Sequence, residues 1–209
     1  MSFYKTNEIK MNIIRFILFF LAIFAANQLY AQTCLSPDGQ TSIYFSLSPN
    51  GQLQYEMKLG KTTVIRTSRL GLELKNDTDL MSDFAIEDVQ YDSFDNMWTP
   101  VWGEESQIRN HYNEMFISLK QKTTDRTMNI RFRVYNEGMG FRYEFPQQPN
   151  LGHFTVSQEK TQFSLSGDHT AFWIPGDYDT QEYDYTTSKL SDIEKLFDTA
   201  VTGNASQEQ

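Results

Sequence analysis

Residues 171–185 (AFWIPGDYDTQEYDY) hold the densest group of side chains able to do chemistry in this chain. An aromatic strand pattern containing Trp173 breaks at Pro175 and Gly176, and acids and phenols follow: Asp177, Tyr178, Asp179, Glu182, Tyr183, Asp184 and Tyr185. Such a run suits a hard cation such as Ca2+, which takes oxygen ligands, beside a pyranose ring lying on an aromatic face. The competing reading is an exposed acidic loop. Spacing alone does not choose a ligand among Asp177, Asp179, Glu182 and Asp184.

A second block, WTPVWGEE at 98–105, is followed by Arg109 and His111. Trp98 and Trp102 fit either a sugar platform or amphipathic anchors of an excursion folded back on the rest of the fold. The adjacent Glu104 and Glu105 suggest a glycosidase pair. Neighbouring strand residues point to opposite faces, however, whereas two catalytic carboxyls must converge across roughly 5–9.5 Å. His111, His153 and His169 lack metal-ligand spacing, and there is no phosphate-cradling glycine loop, zinc pattern or nucleophile elbow.

The elements that must position these groups read as strands. Alternating segments at 41–48 and 52–59 flank Pro49, Asn50 and Gly51 and predict a hairpin. Gly60 and Lys61 predict a second reversal before a strand at 62–67, and Leu70, Leu72 and Leu74 share one face of the next. Residues 76–111 carry weak periodicity, enough for one strand around Phe84, Ile86 and Val89. Alternation returns at 115–120 and 128–135. Gly138 and Gly140 are read as turn residues free to take positive φ, and Phe141, Tyr143 and Phe145 alternate until Pro146. Further strands are expected at 153–157 and 161–165. Together these predict a mainly β chain, an antiparallel β-sandwich. One C-terminal helix is predicted from Leu190, Ile193, Leu196, Phe197, Ala200 and Val201, with a capping box from Ser191 to Glu194 and a stop at Gly203.

Several segments resemble the N-terminal domain of glycoside hydrolase family 97, the branch of calcium-dependent periplasmic α-glucosidases in particular. They are LGLELK at 70–75, WTPVWGEE at 98–105, IRNHYNE at 108–114, GFRYEFPQQ at 140–148, GDH at 167–169 and FWIPGDYDTQEYDY at 172–185. The resemblance runs from about Ser36 to the C-terminus. It implies a galactose-mutarotase-like super-sandwich, here incomplete, which in family members precedes a (β/α)8 barrel that holds the catalytic carboxylates and is absent from this sequence. It assigns Glu182 as a Ca2+ ligand whose companions sit on that barrel, and leaves no catalytic residue in this chain. Trp98, Trp102, Trp173, Asp177 and Tyr178 become candidates for substrate or domain contact. The implied chemistry is hydrolysis of α-linked starch oligosaccharides, with a barrel acid protonating the glycosidic oxygen while a base activates water. A retaining branch cleaves α-galactosides instead, and the choice depends on residues outside this chain. Alternatives are a stand-alone carbohydrate-binding sandwich using Trp98, Trp102 and Trp173, or a truncated product without function.

The 209 residues allow one ordinary domain. A net charge of −9 argues against nucleic acid, which needs a basic patch, and is compatible with neutral sugars. The single cysteine, Cys34, forbids an internal disulfide. Residues 16–26 form an apolar run behind Lys10 and Arg15, too short for a comfortable membrane span and suited to an export signal. Residues 1–31 are read as that signal, with Met11 as an alternative start and cleavage after Ala31 giving a periplasmic product with no stable membrane insertion. The three residues before Cys34 make a poor lipid-attachment motif.

Overall fold

The computed structural model describes residues 31–176 and 183–200. The chain divides into two compact units, one ending at Phe163 and one beginning at Ser164. In the first unit, β1 (Gln32–Leu35), β2 (Thr41–Leu47), β3 (Leu53–Leu59) and β4 (Thr62–Arg69) form a four-stranded antiparallel sheet in chain order. A second four-stranded antiparallel sheet comprises β6 (Phe84–Trp98), β7 (Ile108–Gln121), β8 (Arg126–Tyr135) and β9 (Gly138–Glu144), which follow β5 (Leu72–Leu74). Strand β10 (Val156–Glu159) pairs with β5. Among the described residues no helix is long and apolar enough to cross a membrane.

The two larger sheets face each other because each strand alternates apolar and polar residues. Ile43, Phe45, Leu53 and Tyr55 from one sheet and Met115, Ile117, Leu119, Met128, Ile130, Phe132 and Val134 from the other are buried in one core. Phe132 is at its centre, with ring centroids 6.1 Å from Phe45, 6.4 Å from Tyr55 and 5.7 Å from Phe141. Cys34 is buried in the same core from β1, and burial pushes its thiol pKa up to about 11.

The predicted first hairpin forms, with Leu47 opposite Leu53. Its turn is tied to the opposite sheet: the Asp83 amide donates to Asn50 O at 2.9 Å and the Phe84 amide to Gly51 O at 3.1 Å. Gly51 has φ +72, and a Cβ there would fall 2.5 Å from the Phe84 nitrogen. Only glycine fits both the backbone and that approach.

Four expectations need correction. Residues 76–111 contain not one strand but most of a long hairpin, since β6 has 15 residues and β7 has 14, paired from Phe84↔Gln121 to Trp98↔Ile108. Its distal half is exposed on β6, so no one-sided burial imposes a readable alternation. Gly138 and Gly140 are extended residues of β9 rather than positive-φ turn positions. The segment 161–165 is not a strand; single bonds tie it down, from the Gln162 amide to Arg69 O at 2.9 Å and from Tyr55 Oη to Gln162 O at 2.8 Å. Ser191 does not close a capping box.

The second unit shows why. Strands β11 (Thr170–Trp173) and β12 (Thr186–Lys189) form an antiparallel pair, followed by a 3-10 turn at Leu190–Asp192, helix α1 (Ile193–Leu196) and a further 3-10 turn at Phe197–Thr199. The Ser191 amide and hydroxyl both donate to the Asp168 carboxylate at 3.0 Å. A partner distant in sequence has therefore taken over the cap. Val201 and Gly203 lie outside the described residues.

Candidate functional site

The hairpin of β6 and β7 carries the tryptophan block at its tip. Trp98 ends β6 and is 51% exposed, while Val101 and Trp102 in the connecting bend are 100% and 87% exposed. The excursion therefore does not fold back on the sandwich. Register alone builds this arm: Asp95 lies one pair from the Asn96↔Asn110 match and receives both Arg109 Nε and Nη2 at 2.7 Å. That fork holds the Asp95 carboxyl below its usual range, with the nearby His111 adding to the effect. Nearer the body of the sheet, Phe94 stacks on Tyr112 at 5.3 Å, and Tyr112 meets Tyr135 at 5.3 Å. Glu104 and Glu105 are exposed in the bend, with no geometry that would aim both at one bond.

Trp173 belongs to the second unit, on β11, where its indole Nε1 donates to Ser188 Oγ at 3.0 Å across the β11–β12 pair. Asp177, Tyr178 and Glu182 lie outside the described residues. Among the described residues no three His, Cys, Asp or Glu side chains come together as a metal site.

A polar network that the sequence reading did not single out covers the outer face of the second sheet. Glu114 accepts from Arg131 Nη1 and from Arg133 Nε, the latter at 2.9 Å. Glu144 accepts from Arg131 Nε at 2.6 Å and from Arg142 Nε at 2.7 Å. Arg131 consequently has its pKa raised, and the Glu144 carboxyl is held below the ordinary range, chiefly by its bond from Arg131. Arg131 also lies over the Phe116 ring at 4.6 Å and Arg133 over Tyr112 at 4.5 Å. Alternation in 128–135 already put Arg131, Arg133 and Tyr135 on one side. Their carboxylate partners become visible only once the strand register is known.

The family profile described as glycosyl-hydrolase 97 N-terminal matches residues 34–208. This chain belongs to that family. A curated relative, a retaining alpha-galactosidase of Bacteroides thetaiotaomicron, is 28% identical over 177 residues, covering 78% of this chain and 25% of the relative. Among solved structures, a glycoside hydrolase family 97 enzyme of Pseudoalteromonas sp. strain K8 in complex with panose superposes with a TM-score of 0.71 at 32% identity, over 77% of this chain and 25% of that one. The same values hold for the complex of that organism's family 97 enzyme with acarbose. A beta-arabinopyranosidase shares the fold, with a TM-score of 0.65 at 20% identity, over 74% of this chain and 26% of that one. The family 97 chain thus spans about a quarter of the length of these relatives and corresponds to their N-terminal part.

Proposed function

We propose that this chain serves as the N-terminal domain of a family 97 glycoside hydrolase acting on α-linked oligosaccharides, in the α-glucosidase manner, with a catalytic (β/α)8 barrel as its covalent partner. The match over residues 34–208, together with coverage of only a quarter of each relative, carries this reading. The sugars in the Pseudoalteromonas complexes are panose and acarbose, which supports an α-glucan substrate. The Bacteroides relative is an alpha-galactosidase, so the alternative is an α-galactoside. Within this assignment Glu182 gives one carboxylate oxygen to a Ca2+ ion whose remaining ligands come from the barrel. When bound, that ion supplies positive charge close to the leaving group. Asp177 and Tyr178 lie on the same segment as Glu182 and would border the contact with the barrel. Residues 1–31 act as an export signal, and the product works in the periplasm.

Fusing residues 32–209 to the catalytic region of the Pseudoalteromonas relative, in place of that enzyme's own N-terminal quarter, tests the assignment. Calcium-dependent hydrolysis of panose by the fusion, weakened calcium dependence after Glu182→Gln, and no hydrolysis by the unfused chain are the expected results. Hydrolysis by the unfused chain would refute it. N-terminal sequencing of the exported protein should begin at Gln32.

The exposure of Trp98 and Trp102 favours a second reading, a carbohydrate-binding sandwich acting on its own. Saturable binding of maltooligosaccharides by the chain, abolished by Trp102→Ala, would establish it.

A further inference from the structure

We propose that the outer face of the β6–β9 sheet carries an oxyanion-binding notch in which Arg133 and Arg142, on either side of Gly140, bind a carboxylate or phosphate group from solution. This site is independent of the hydrolase assignment. Cross-strand register builds it: Arg131 lies opposite Arg142, Arg133 opposite Gly140, and Tyr135 opposite Gly138. Alternation along β9 therefore places two glycines and then Arg142 on the wet face. The result is a notch of about 200 Å3 lined by Arg131, Arg133, Tyr135, Gly140, Phe141 and Arg142.

Nothing inside the protein requires glycine at position 140. Its φ is not positive, and a Cβ there would meet no atom within 4 Å. Glycine weakens a strand interior, and in such places often marks close approach by another molecule. A side chain at position 140 would fill the space between the two guanidinium groups.

The charges decide what fits. Three guanidinium groups share two carboxylates, Glu114 and Glu144. Arg131 spends donors on both. Arg133 and Arg142 each use only Nε, at 2.9 Å and 2.7 Å, so their Nη donors have no protein acceptor among the described residues. A guanidinium has five N–H donors in a rigid fork that matches a carboxylate or phosphate edge. Glu137, in the turn between β8 and β9, lines with Tyr135 a separate pocket that contains neither Arg133 nor Arg142, and Asp92 lies opposite Glu114 on β6, with β7 and β8 between it and Gly140. Arg133 is already held by Glu114 and by the Tyr112 ring, so little further ordering is needed on binding. A neutral sugar could accept bonds here, but it would leave the excess positive charge unmatched. The chain's overall charge of −9 opposes the approach of anions, which makes binding weak and sensitive to salt.

The full chain should be titrated with sodium phosphate, acetate and glucuronate, and with glucose as the neutral control, at constant ionic strength held by chloride. NMR of the arginine Nε–Hε groups and of the Gly140 amide supplies the readout. Expected are saturable shifts of the Arg133, Arg142 and Gly140 signals with the oxyanions and none with glucose. Gly140→Val, which fills the notch, and Arg142→Ala should each weaken binding about tenfold or more, the size of a lost charge-assisted hydrogen bond. Arg142 has a side chain 63% exposed, so its alanine variant tests the site even if the valine variant does not fold. A stronger response to glucuronate than to acetate and phosphate would identify an acidic sugar as the source, and equal responses a free oxyanion. The proposal is overturned by shifts that do not saturate, by an equal response to glucose, or by binding unchanged in Arg142→Ala.

Discussion

Phe132 is fully buried with aromatic rings of both sheets around it, which makes it the residue on which the sandwich most depends. Truncation to alanine leaves a cavity between two rigid sheets, and Phe132→Ala should cost about 3–5 kcal/mol in chemical denaturation. On the outer face of the same sheet, Glu144 at the end of β9 links stability to pH. Its folded pKa lies below the unfolded value because Arg131 and Arg142 stabilise the carboxylate. The contribution is therefore complete above the ordinary glutamate pKa of about 4.3 and disappears as pH falls through the lower folded value. Urea unfolding followed from pH 7 down to pH 3 should show a shallower acid decline for Glu144→Gln than for the unaltered chain. The core residues were legible, since alternation in 128–135 marks Met128, Ile130, Phe132 and Val134 without any structure. Glu114 was not. A lone acid in an apolar strand shows no partner until its neighbour across the sheet is known.

At the level of elements, the β6–β7 arm separates two physical regimes along one hairpin. Phe84, Ile86 and Val89 on β6 and Met115, Ile117 and Leu119 on β7 line the core, whereas beyond Asp92 every β6 residue is exposed. Sequence reading captured the first regime and missed the second, because a strand wet on both faces has no reason to alternate. Backbone pairing, the Asp95–Arg109 fork and the Phe94–Tyr112 stack support the distal half without a core beneath it, so its amides should exchange with deuterium well before those of Ile117 and Leu119. The exposed tip should also contribute little to stability. Replacing Trp98 and Trp102 together by serine should leave the thermal midpoint within about 2 °C of the original, the shift that about half a kcal/mol produces in a chain of this size, while lowering self-association in analytical ultracentrifugation. A large drop in the midpoint would mean that the tip packs against something in the isolated chain. The C-terminal helix teaches a related lesson. Its existence followed from the apolar spacing, but its cap is supplied by Asp168, more than twenty residues upstream and beyond the reach of a local motif.

For the molecule as a whole, family membership was readable from blocks that the fold scatters. LGLELK contains β5, WTPVWGEE forms the tip of the arm, and GFRYEFPQQ contains the end of β9. Their order along the chain, rather than any shared pocket, carries the resemblance. What sequence order could not give is which of these blocks touch. With a net charge of −9 and an isoelectric point near 4.8, solubility should pass through a minimum close to that pH, where repulsion no longer keeps exposed apolar tips apart. Turbidity measured between pH 4 and pH 7 checks this, and the minimum should become shallower in the double serine variant. The seam between Asn50–Gly51 and Asp83–Phe84 also dictates where the protein can be engineered. A fluorophore or epitope grafted at Gly51 would prise the two halves of the sandwich apart. The same graft at Val101, fully exposed in the bend, would ride on the arm as a passive reporter of whatever docks there.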